Sequence, residues 1–284
     1  MEYGQLNWVR QWMALSMLRA YFFSRLMASF MVLKTIQQHS LPPLSRSLTV
    51  LFQLIAAYFP NAEITGTDLS PVQPSNVPDN VHFYIDDAME TDWLWPENHF
   101  DYIHASMLSG SFRSFDDLLR TAYRYLKPGG WIECHDVDIA IRCDDGSVPL
   151  DALDSWGPYP FQNWITLLTK ATSTMNPPRP IRSAHYISKW MREVGFKNIQ
   201  ESVRKIPITP WHKDPYLREI GEWNQMNWLE GLAAFSWVPF GERGLGWTQE
   251  QIEVFLVDVR KSLLNLDYHA YNNLHVVIAR KPFC

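Results

Sequence analysis

Tyr125-Leu-Lys-Pro-Gly-Gly-Trp-Ile-Glu133 is the stretch that decides the fold. Its Pro-Gly-Gly supplies the backbone freedom for a tight reversal from a helix into a strand. Upstream, apolar residues recur at helical spacing from Phe115 to Leu126, after an expected N-cap at Ser114. Trp131-Ile-Glu-Cys-His135 then has the composition of a strand. This alternation of helix and strand is typical of an α/β protein.

Three short apolar segments before this stretch predict three more strands. They run over Ala62–Thr67, Val81–Ile85 and Phe100–His104. Acidic residues directly follow the first two, namely Asp68 and the pair Asp86-Asp87. Strands alternating with helices at this spacing favour a parallel sheet, and ligands of open α/β sheets bind outside the carboxyl ends of the strands. We therefore expect a ligand-binding edge at these carboxylates.

The segment before the strands has a different composition. Residues 1–62 hold five basic residues and a single acid. The pattern predicts a helix from about Asn7 to Gln38 and another from about Ser47 to Tyr58. We expect residues 1–46 to form an atypical basic helical leader and residues 47–284 to form the α/β domain. An amphipathic packing helix is favoured over a transit peptide for this leader.

Composition excludes several classes of protein. The chain has 284 residues, 46% hydrophobic and 19% charged, which is incompatible with a wholly disordered chain. A net charge of −5 gives no field that attracts nucleic acid. Three cysteines cannot form a disulfide framework, which favours a reducing, cytoplasmic location, or the nucleus for a regulatory protein. Apolar runs are interrupted by charges too early for a membrane span or a secretory signal.

The C-terminal half is richer in helix. We expect lid elements over the sheet at about residues 150–180 and 207–247, where the alternation is interrupted. The predicted elements are a helix over Tyr159–Thr174, a helix capped by Ser183 and ended by Gly195, a strand over Phe196–Ile206, a helix over Pro215–Trp237, a helix with a Thr248/Gln251 capping box, and a closing strand over Tyr268–Ala279.

The motifs taken together resemble class I S-adenosylmethionine-dependent methyltransferases. The resemblance is carried by Thr67-Asp-Leu-Ser-Pro71, Asp86-Asp-Ala88, Phe100-Asp-Tyr-Ile-His-Ala105 and Leu126-Lys-Pro-Gly-Gly-Trp131. More narrowly, the chain is similar to the fungal LaeA-type methyltransferases of secondary metabolism. That similarity lies in Trp211-His-Lys-Asp-Pro215, Trp228-Leu-Glu-Gly231, His269-Ala-Tyr271 and His275-Val-Val277. It covers about residues 50–283 and implies a Rossmann-like sheet with helical lid insertions and an atypical helical N-terminus.

The resemblance also implies a cofactor site. The family has a seven-stranded sheet with its last strand antiparallel, and S-adenosylmethionine lies across the strand ends. By position, Asp68 would hold the ribose, with Leu69 beside it. Asp87 and Ala88 would meet the adenine, and His104 would line the methionine side.

One departure from the family is evident. The family carries a glycine-rich loop after its first strand, where backbone N–H groups receive the carboxylate end of the cofactor. This sequence has no glycine between Gly4 and Gly66. A Cβ at such positions blocks close approach and positive φ angles. Either cofactor binding is weakened or lost, or the first sixty residues come from a faulty gene model.

No catalytic residue follows from the motifs. Glu133, His135 and Asp136 end the fourth strand, where a base would deprotonate a hydroxyl or amine acceptor. Methyl transfer also proceeds by proximity and alignment alone, so His104 and His135 are only weak catalytic candidates. The aromatic residues of the helical region fit either a core or a substrate wall; they are Trp223, Trp228, Phe235 and Trp237.

The sequence predicts no metal site. His104, Cys134, His135 and Cys143 carry ligand groups, but their spacing along the chain matches no closed zinc pattern. Core or surface roles are the favoured interpretation of these four residues.

The leading hypothesis is methyl transfer from S-adenosylmethionine to a small, apolar acceptor of secondary metabolism. A second hypothesis is a methyltransferase-like regulatory or interaction protein that no longer methylates. A third is a pocket that catalyses a non-methylating rearrangement. The absent glycine loop supports the second and third against the first. The expected partner is a small-molecule substrate, with neither nucleic acid nor a membrane, and the oligomeric state is not predicted.

Overall fold

A central sheet organises the described part of the chain. The computed structural model describes residues 29–34, 56–69, 77–148 and 156–283. Seven strands form one sheet in the order β3-β2-β1-β4-β5-β7-β6. They are β1 (Ser29–Lys34), β2 (Glu63–Asp68), β3 (Val81–Ile85), β4 (Phe100–Ser106), β5 (Leu126–Arg142), β6 (Lys197–Pro207) and β7 (Tyr271–Arg280). The predicted seven-stranded α/β sheet is therefore confirmed.

A parallel sheet with an antiparallel last strand was expected. The strand directions agree with this everywhere except at β1. β2 is parallel to β3, and β4 is parallel to β5. β7 lies between β5 and β6 and runs antiparallel to both, as the family resemblance implies. β1 runs antiparallel to both of its neighbours, β2 and β4.

The helix predicted over Asn7–Gln38 is wrong for the six residues of β1. Phe30 is registered with Thr67 on one side and Ala105 on the other, so this segment is a central strand. A short apolar run does not distinguish a buried strand from a helix by periodicity, and this one lies between two strands that it pairs with. The rest of that helix lies outside the described residues. Of the helix predicted over Ser47–Tyr58, the described residues 56–58 are helical.

The helices that follow lie close to their predicted positions. Ser114 caps the first of them through its side chain, and Thr248 with Gln251 forms the predicted capping box. Gly195 ends the third with a φ of 114°, a conformation that favours glycine. The helices are α1 (Phe115–Tyr125), α2 (Pro160–Thr174), α3 (Ile187–Val194), α4 (Pro215–Phe240) and α5 (Gln249–Leu264).

One predicted cap is wrong. A 3₁₀ turn over Ala184–Tyr186 precedes α3, and Ser183 makes no capping hydrogen bond to it. The Ser183 hydroxyl donates instead to the carbonyl of Pro180 at 3.3 Å. No helix in the described ranges has both the length and the apolar character needed to cross a bilayer.

Two apolar clusters hold these layers together. The first lies between one face of the sheet and helices α1 and α3, and includes Ile103, Leu119, Cys134 and Met191. The second lies among α2, α4 and α5 and contacts the last residues of β5; its largest members are Tyr159, Phe161, Trp164, Trp228 and Phe240.

β5 connects the two clusters because it is longer than its neighbour. β4 ends at Ser106, which is registered with His135. β5 continues to Arg142, which is registered with Tyr271 of β7. The seven residues of β5 beyond His135 thus project past the edge of β4 towards the helical layer, and the candidate site lies there.

Candidate active site

The ends of β2 and β3 form one edge of the candidate site. Asp68 is the last residue of β2, and its carbonyl accepts a hydrogen bond from the backbone N–H of Asp86 at 3.1 Å. This contact joins the segment containing Asp86 and Asp87 to the end of β2. Leu69 and Ile85 are 69% and 64% exposed at the same edge. The structure therefore brings the two predicted carboxylate positions together, beside exposed apolar side chains.

Local hydrogen bonds shape the turn that contains Asp87. Its Oδ1 accepts from the backbone N–H of Met89 at 2.9 Å, which is the geometry of an Asx turn. The carbonyl of Ala88 accepts from Trp93 Nε1 at 3.3 Å. Burial raises the pKa of the neighbouring Asp86, and the Asp87 carboxylate contributes to that increase by repulsion. These contacts fix the backbone of the turn on the protein side.

The loop after β4 forms the next part of the edge. Met107 adopts a φ of 56°, which is uncommon for a residue with a Cβ, and its N–H donates to the carbonyl of His135 at 2.8 Å. The backbone N–H groups of Leu108 and Ser109 both donate to Asp136 Oδ2 at 2.8 Å. Asp136 Oδ1 accepts from the N–H of Val137 at 2.9 Å. One carboxylate thus holds the loop against β5.

Asp136 is titratable and faces the site. Its burial raises the pKa to about 6, against the lowering effect of the backbone N–H groups that it accepts from. Of the three residues predicted to end the fourth strand beside the cleft, Asp136 lines the cavity described next. Glu133 and His135 are not among its lining residues.

A cavity of about 340 Å³ lies between the β4 and β5 ends and the helical layer. Met107, Asp136 and Ile139 form its floor, while Leu168 and Thr172 of α2 and residues of α4 form its other walls. This volume is typical of small-molecule pockets. Its walls are mainly apolar, with few polar groups, which suits an apolar ligand that is oriented by a few hydrogen bonds.

Two buried side chains of these walls, Trp228 and Asn272, each have one polar atom without a partner in the described part of the chain. The atoms are Trp228 Nε1, a donor, and Asn272 Oδ1, an acceptor. The other end of the Asn272 amide donates to the carbonyl of Ala140 at 3.0 Å. Buried polar groups are normally hydrogen-bonded, so both atoms are exceptions to that rule beside the cavity.

The predicted aromatic residues divide into two groups. Trp228 and Phe235 line the cavity, whereas Trp237 is 50% exposed and Trp223 is half-buried. A helical repeat of aromatic residues does not show which of them face a cavity. Asn272 was not predicted, because a single asparagine within a strand carries no motif.

A buried carboxylate with three basic neighbours lies beyond the cavity floor. Asp138 Oδ1 accepts from Arg182 Nε at 3.1 Å, and Oδ2 accepts from Arg142 Nη2 at 3.3 Å. His185 Nδ1 lies 3.8 Å from Oδ2. Burial alone would raise the pKa of Asp138, but the charge and hydrogen bond of Arg182 outweigh it, so the pKa lies below its usual range.

The weak catalytic candidates His104 and His135 lie inside the sheet rather than at its exposed edge. Both side chains are 1% exposed, and their rings are 4.9 Å apart between centroids. His135 Nε2 contacts Glu133 Oε1, and Tyr102 donates its hydroxyl to Glu133 Oε2 at 3.2 Å. Burial, with the nearby His135, lowers the pKa of His104 to about 3, which makes it a poor general base at neutral pH.

The four residues that carry ligand groups but were expected to have core or surface roles do not come together as a set. Cys134 packs in the first apolar cluster, on the strand face opposite to that of its two neighbours. Cys143 contacts Asp145 and Ser147 instead. His104 and His135 lie together, with Glu133 as the third member of their group.

The described residues fit the adenosyl half of the cofactor that the fold implies. A carboxylate at the end of β2, a fixed turn at the end of β3 and exposed apolar side chains between them suit a ribose diol and an adenine ring. The methionine half differs, because Lys34 at the end of β1 is registered with Glu63, at the start of β2. The carboxyl end of β1 therefore lies at the edge of the sheet opposite to Asp68.

The strand order and the antiparallel β7 define a class I methyltransferase fold. The chain belongs to the family described as "Methyltransferase domain", which matches residues 49–201. The cofactor of this family is S-adenosylmethionine.

Among curated proteins, the chain is similar to fungal relatives. It is 35% identical over 228 residues to the secondary metabolism regulator laeA of Monascus pilosus, covering 80% of this chain and 59% of that protein. It is 35% identical over 224 residues to the secondary metabolism regulator LAE1 of Cochliobolus heterostrophus, covering 78% and 70%. It is 37% identical over 220 residues to the methyltransferase pytC of Aspergillus terreus, covering 78% and 64%. The chain thus spans between about three fifths and seven tenths of these relatives.

Proposed function

We propose that this chain transfers the methyl group of S-adenosylmethionine to a small, mainly apolar acceptor bound in the cavity between β5 and helices α2 and α4. The cavity of about 340 Å³, whose mainly apolar walls include Trp228 and Asn272, is the observation that carries this proposal. An apolar frame with a few polar groups, such as a phenol or an enol with a carbonyl group, suits these walls.

The cofactor side of the proposal rests on the carboxyl ends of β2 and β3. Asp68 would accept hydrogen bonds from the ribose, with Leu69 packing beside it, while Asp87 and Ala88 would bind the adenine. When bound, S-adenosylmethionine supplies an electrophilic methyl group on a sulfonium sulfur. We assign His104 no cofactor contact, because its side chain is buried within the sheet.

The chain's own contribution would be alignment and exclusion of water. Asp136 holds the loop of Met107, Leu108 and Ser109 against β5, so it fixes one wall between the two ligands. Helices α2 and α4 cover the cavity, and we propose that the segments 150–180 and 207–247 act as its lid. Alignment of two bound reactants contributes strongly to a displacement of this kind, so no buried base is required.

Relatives named as secondary metabolism regulators and as a methyltransferase support a role in fungal secondary metabolism. One observation favours a second candidate function. Because β1 runs antiparallel to β2 and β4, its carboxyl end lies at the edge of the sheet opposite to Asp68, and a protein that binds the cofactor weakly would act as a non-methylating regulator.

Calorimetric titration with S-adenosylmethionine and S-adenosylhomocysteine tests the first proposal against the second. We expect micromolar binding by the wild type, and about tenfold or greater weakening in Asp68→Ala, since a hydrogen bond to a charged group contributes about 1.5–3 kcal/mol. The matched control is Glu63→Ala, at the exposed opposite end of the same strand. Absence of binding by folded wild-type protein would reject methyl transfer and favour the regulator.

A further inference from the structure

A group of metal-ligating side chains lies on the buried face of β4 and β5. In the parallel register of these strands, His104 is opposite Glu133 and Ser106 is opposite His135. Because side chains alternate between the two faces of a strand, His104, Glu133 and His135 all project from the same face. One ligand atom from each residue lies within 4.8 Å of the others.

The two histidines have hydrogen-bonding atoms that the described chain does not satisfy. Neither Nδ1 nor Nε2 of His104 has a partner among the described residues, and the same holds for Nδ1 of His135. A buried imidazole with both nitrogens unpaired is costly, because it has lost its hydrogen bonds to water without replacement.

We propose that His104, Glu133 and His135 bind one divalent transition-metal ion of the Zn²⁺ class. Two imidazoles and one carboxylate form a donor set that Zn²⁺ accepts, with a fourth position left for another ligand. Mg²⁺ and Ca²⁺ prefer sites made of oxygen ligands, so they fit this set poorly. The site goes beyond the proposed methyl transfer, which requires no metal.

The surroundings support the assignment. The Tyr102 hydroxyl donates to Glu133 Oε2 at 3.2 Å, while Glu133 Oε1 contacts His135. One carboxylate oxygen is therefore held by a hydrogen bond from outside the group, and the other faces the proposed ion, as is common for ligating carboxylates. For ligands about 2.1 Å from a tetrahedral ion, neighbouring ligand atoms lie about 3.4 Å apart. Side-chain rotations that bring the longest separation, at most 4.8 Å, to this value and move His135 Nε2 and Glu133 Oε1 apart would close the present group around an ion.

The test measures metal binding by the purified full chain without cofactor or acceptor, so its result is independent of methyl transfer. Protein stripped with a chelator is dialysed against ZnCl₂, and bound zinc is counted by plasma mass spectrometry. We expect one tightly bound ion per chain and a rise in Tm of about 5 °C or more on addition of zinc. Cobalt substitution should give the visible absorption bands of a four-coordinate site.

Variants locate the ion. His104→Gln and Glu133→Gln should each weaken zinc binding about 100-fold, whereas His269→Gln should bind zinc like the wild type. His269 is the matched control because it lies beside Asp145 and Cys143 in an exposed group that could capture zinc at the surface. If a variant fails to fold, the wild-type stoichiometry and cobalt spectrum still decide.

Two results would overturn the proposal. One is wild-type protein that folds but retains no stoichiometric zinc, which would leave the group as a buried ion pair beside a neutral histidine. The other is zinc binding that His269→Gln abolishes and His104→Gln preserves.

Discussion

The ends of β2 and β3 carry large apolar side chains exposed to solvent, whereas the ends of β4 and β5 lie beneath packed helices. Leu69 and Ile85 are the exposed side chains at the ends of β2 and β3. In the helices of the covered side, Trp164 and Leu232 are fully buried. Two of the motifs that carry the class I resemblance, those containing Asp68 and Asp87, lie at the strand ends of the open side. The cavity lies on the covered side, where three helices and an extended strand form its walls and surroundings.

The difference between the open and the covered side predicts which substitutions affect ligand binding and which affect stability. On the open side, Leu69 and Ile85 adjoin the two carboxylate positions and are exposed, so substitution of Asp68 or Asp87 should affect the cofactor more than the fold. On the covered side, the residues around the cavity also form the second apolar cluster, so changes there should affect unfolding first. The predictions below are ordered by the size of the expected effect.

Truncation of the packed helical layer should have the largest effect. Trp164 of α2 packs on Phe161 and Trp228, and its Nε1 donates to Ser236 at 2.8 Å. Trp164→Ala should lower the free energy of unfolding by about 3–5 kcal/mol, because it leaves a cavity and removes the hydrogen bond to Ser236. Urea denaturation measures this change. The control is Trp156→Ala, at a tryptophan that is 63% exposed, and it should lower the free energy of unfolding by less than about 1 kcal/mol. Equal losses of stability in the two variants would contradict the importance of the packed helices.

Removal of a cation beside Asp138 should have the next largest effect. Arg182→Ala should destabilise the protein by about 2–3 kcal/mol, since a buried carboxylate loses its closest charge partner. The matched control is Arg120→Ala, which breaks an exposed helical pair and should barely change stability.

The pH dependence of the same variant gives a sharper test. The folded pKa of Asp138 is lowered, so its contribution to stability is present above the unfolded pKa of about 4 and is lost as the pH falls through the folded pKa. In Arg182→Ala the folded pKa rises towards the unfolded value. The stability difference between wild type and variant should therefore shrink as the pH falls below about 4. A difference that grows in acid would be inconsistent with this assignment.

Obstruction of the cavity should affect an apolar ligand but not the cofactor. Val238 and Val257 are both 45% exposed on helices, but only Val238 lines the cavity. Val238→Trp should weaken binding of the apolar dye anilinonaphthalene sulfonate about fivefold by filling space, while Val257→Trp should not. Fluorescence titration measures the dye, and calorimetry should give an unchanged cofactor affinity. A similar loss in both variants would place the dye elsewhere.

The smallest effect on stability is expected at the open edge. Asp87→Ala removes a hydrogen bond to Met89 and should cost less than about 1 kcal/mol. If Asp87 binds the adenine, the same variant should weaken S-adenosylhomocysteine binding about tenfold. If Asp87→Ala instead lost much stability and bound S-adenosylhomocysteine like the wild type, this edge would serve the fold rather than the cofactor.

Much of the fold could be predicted because its strands and caps depend on local sequence. The strands from Ala62 to His135, the Ser114 cap, the Thr248 capping box and the glycine end of α3 need only neighbouring residues. β1 could not be predicted in this way, because its six residues are a strand through their pairing with β2 and β4. That pairing is a long-range property.

The candidate site was less predictable for a related reason. Asp68 and the Asp86-Asp87 pair were expected at one edge because parallel strand ends share an edge, and the backbone hydrogen bond from Asp86 to Asp68 joins the two segments there. The group of His104, Glu133 and His135 depends on the register between two strands, which spacing along the chain does not reveal. Trp228 and Asn272 face one cavity although 44 positions separate them, and no local pattern links such a pair.

The length of β5 constrains how this protein can change during evolution. Six consecutive residues, Glu133–Asp138, contain two proposed metal ligands, the carboxylate that fixes the β4 loop and the carboxylate paired with Arg182. Insertion or deletion of one residue there would invert the facing of every following side chain. Diversification towards new acceptors should therefore proceed by substitution in α2 and α4, while the length of β5 stays constant.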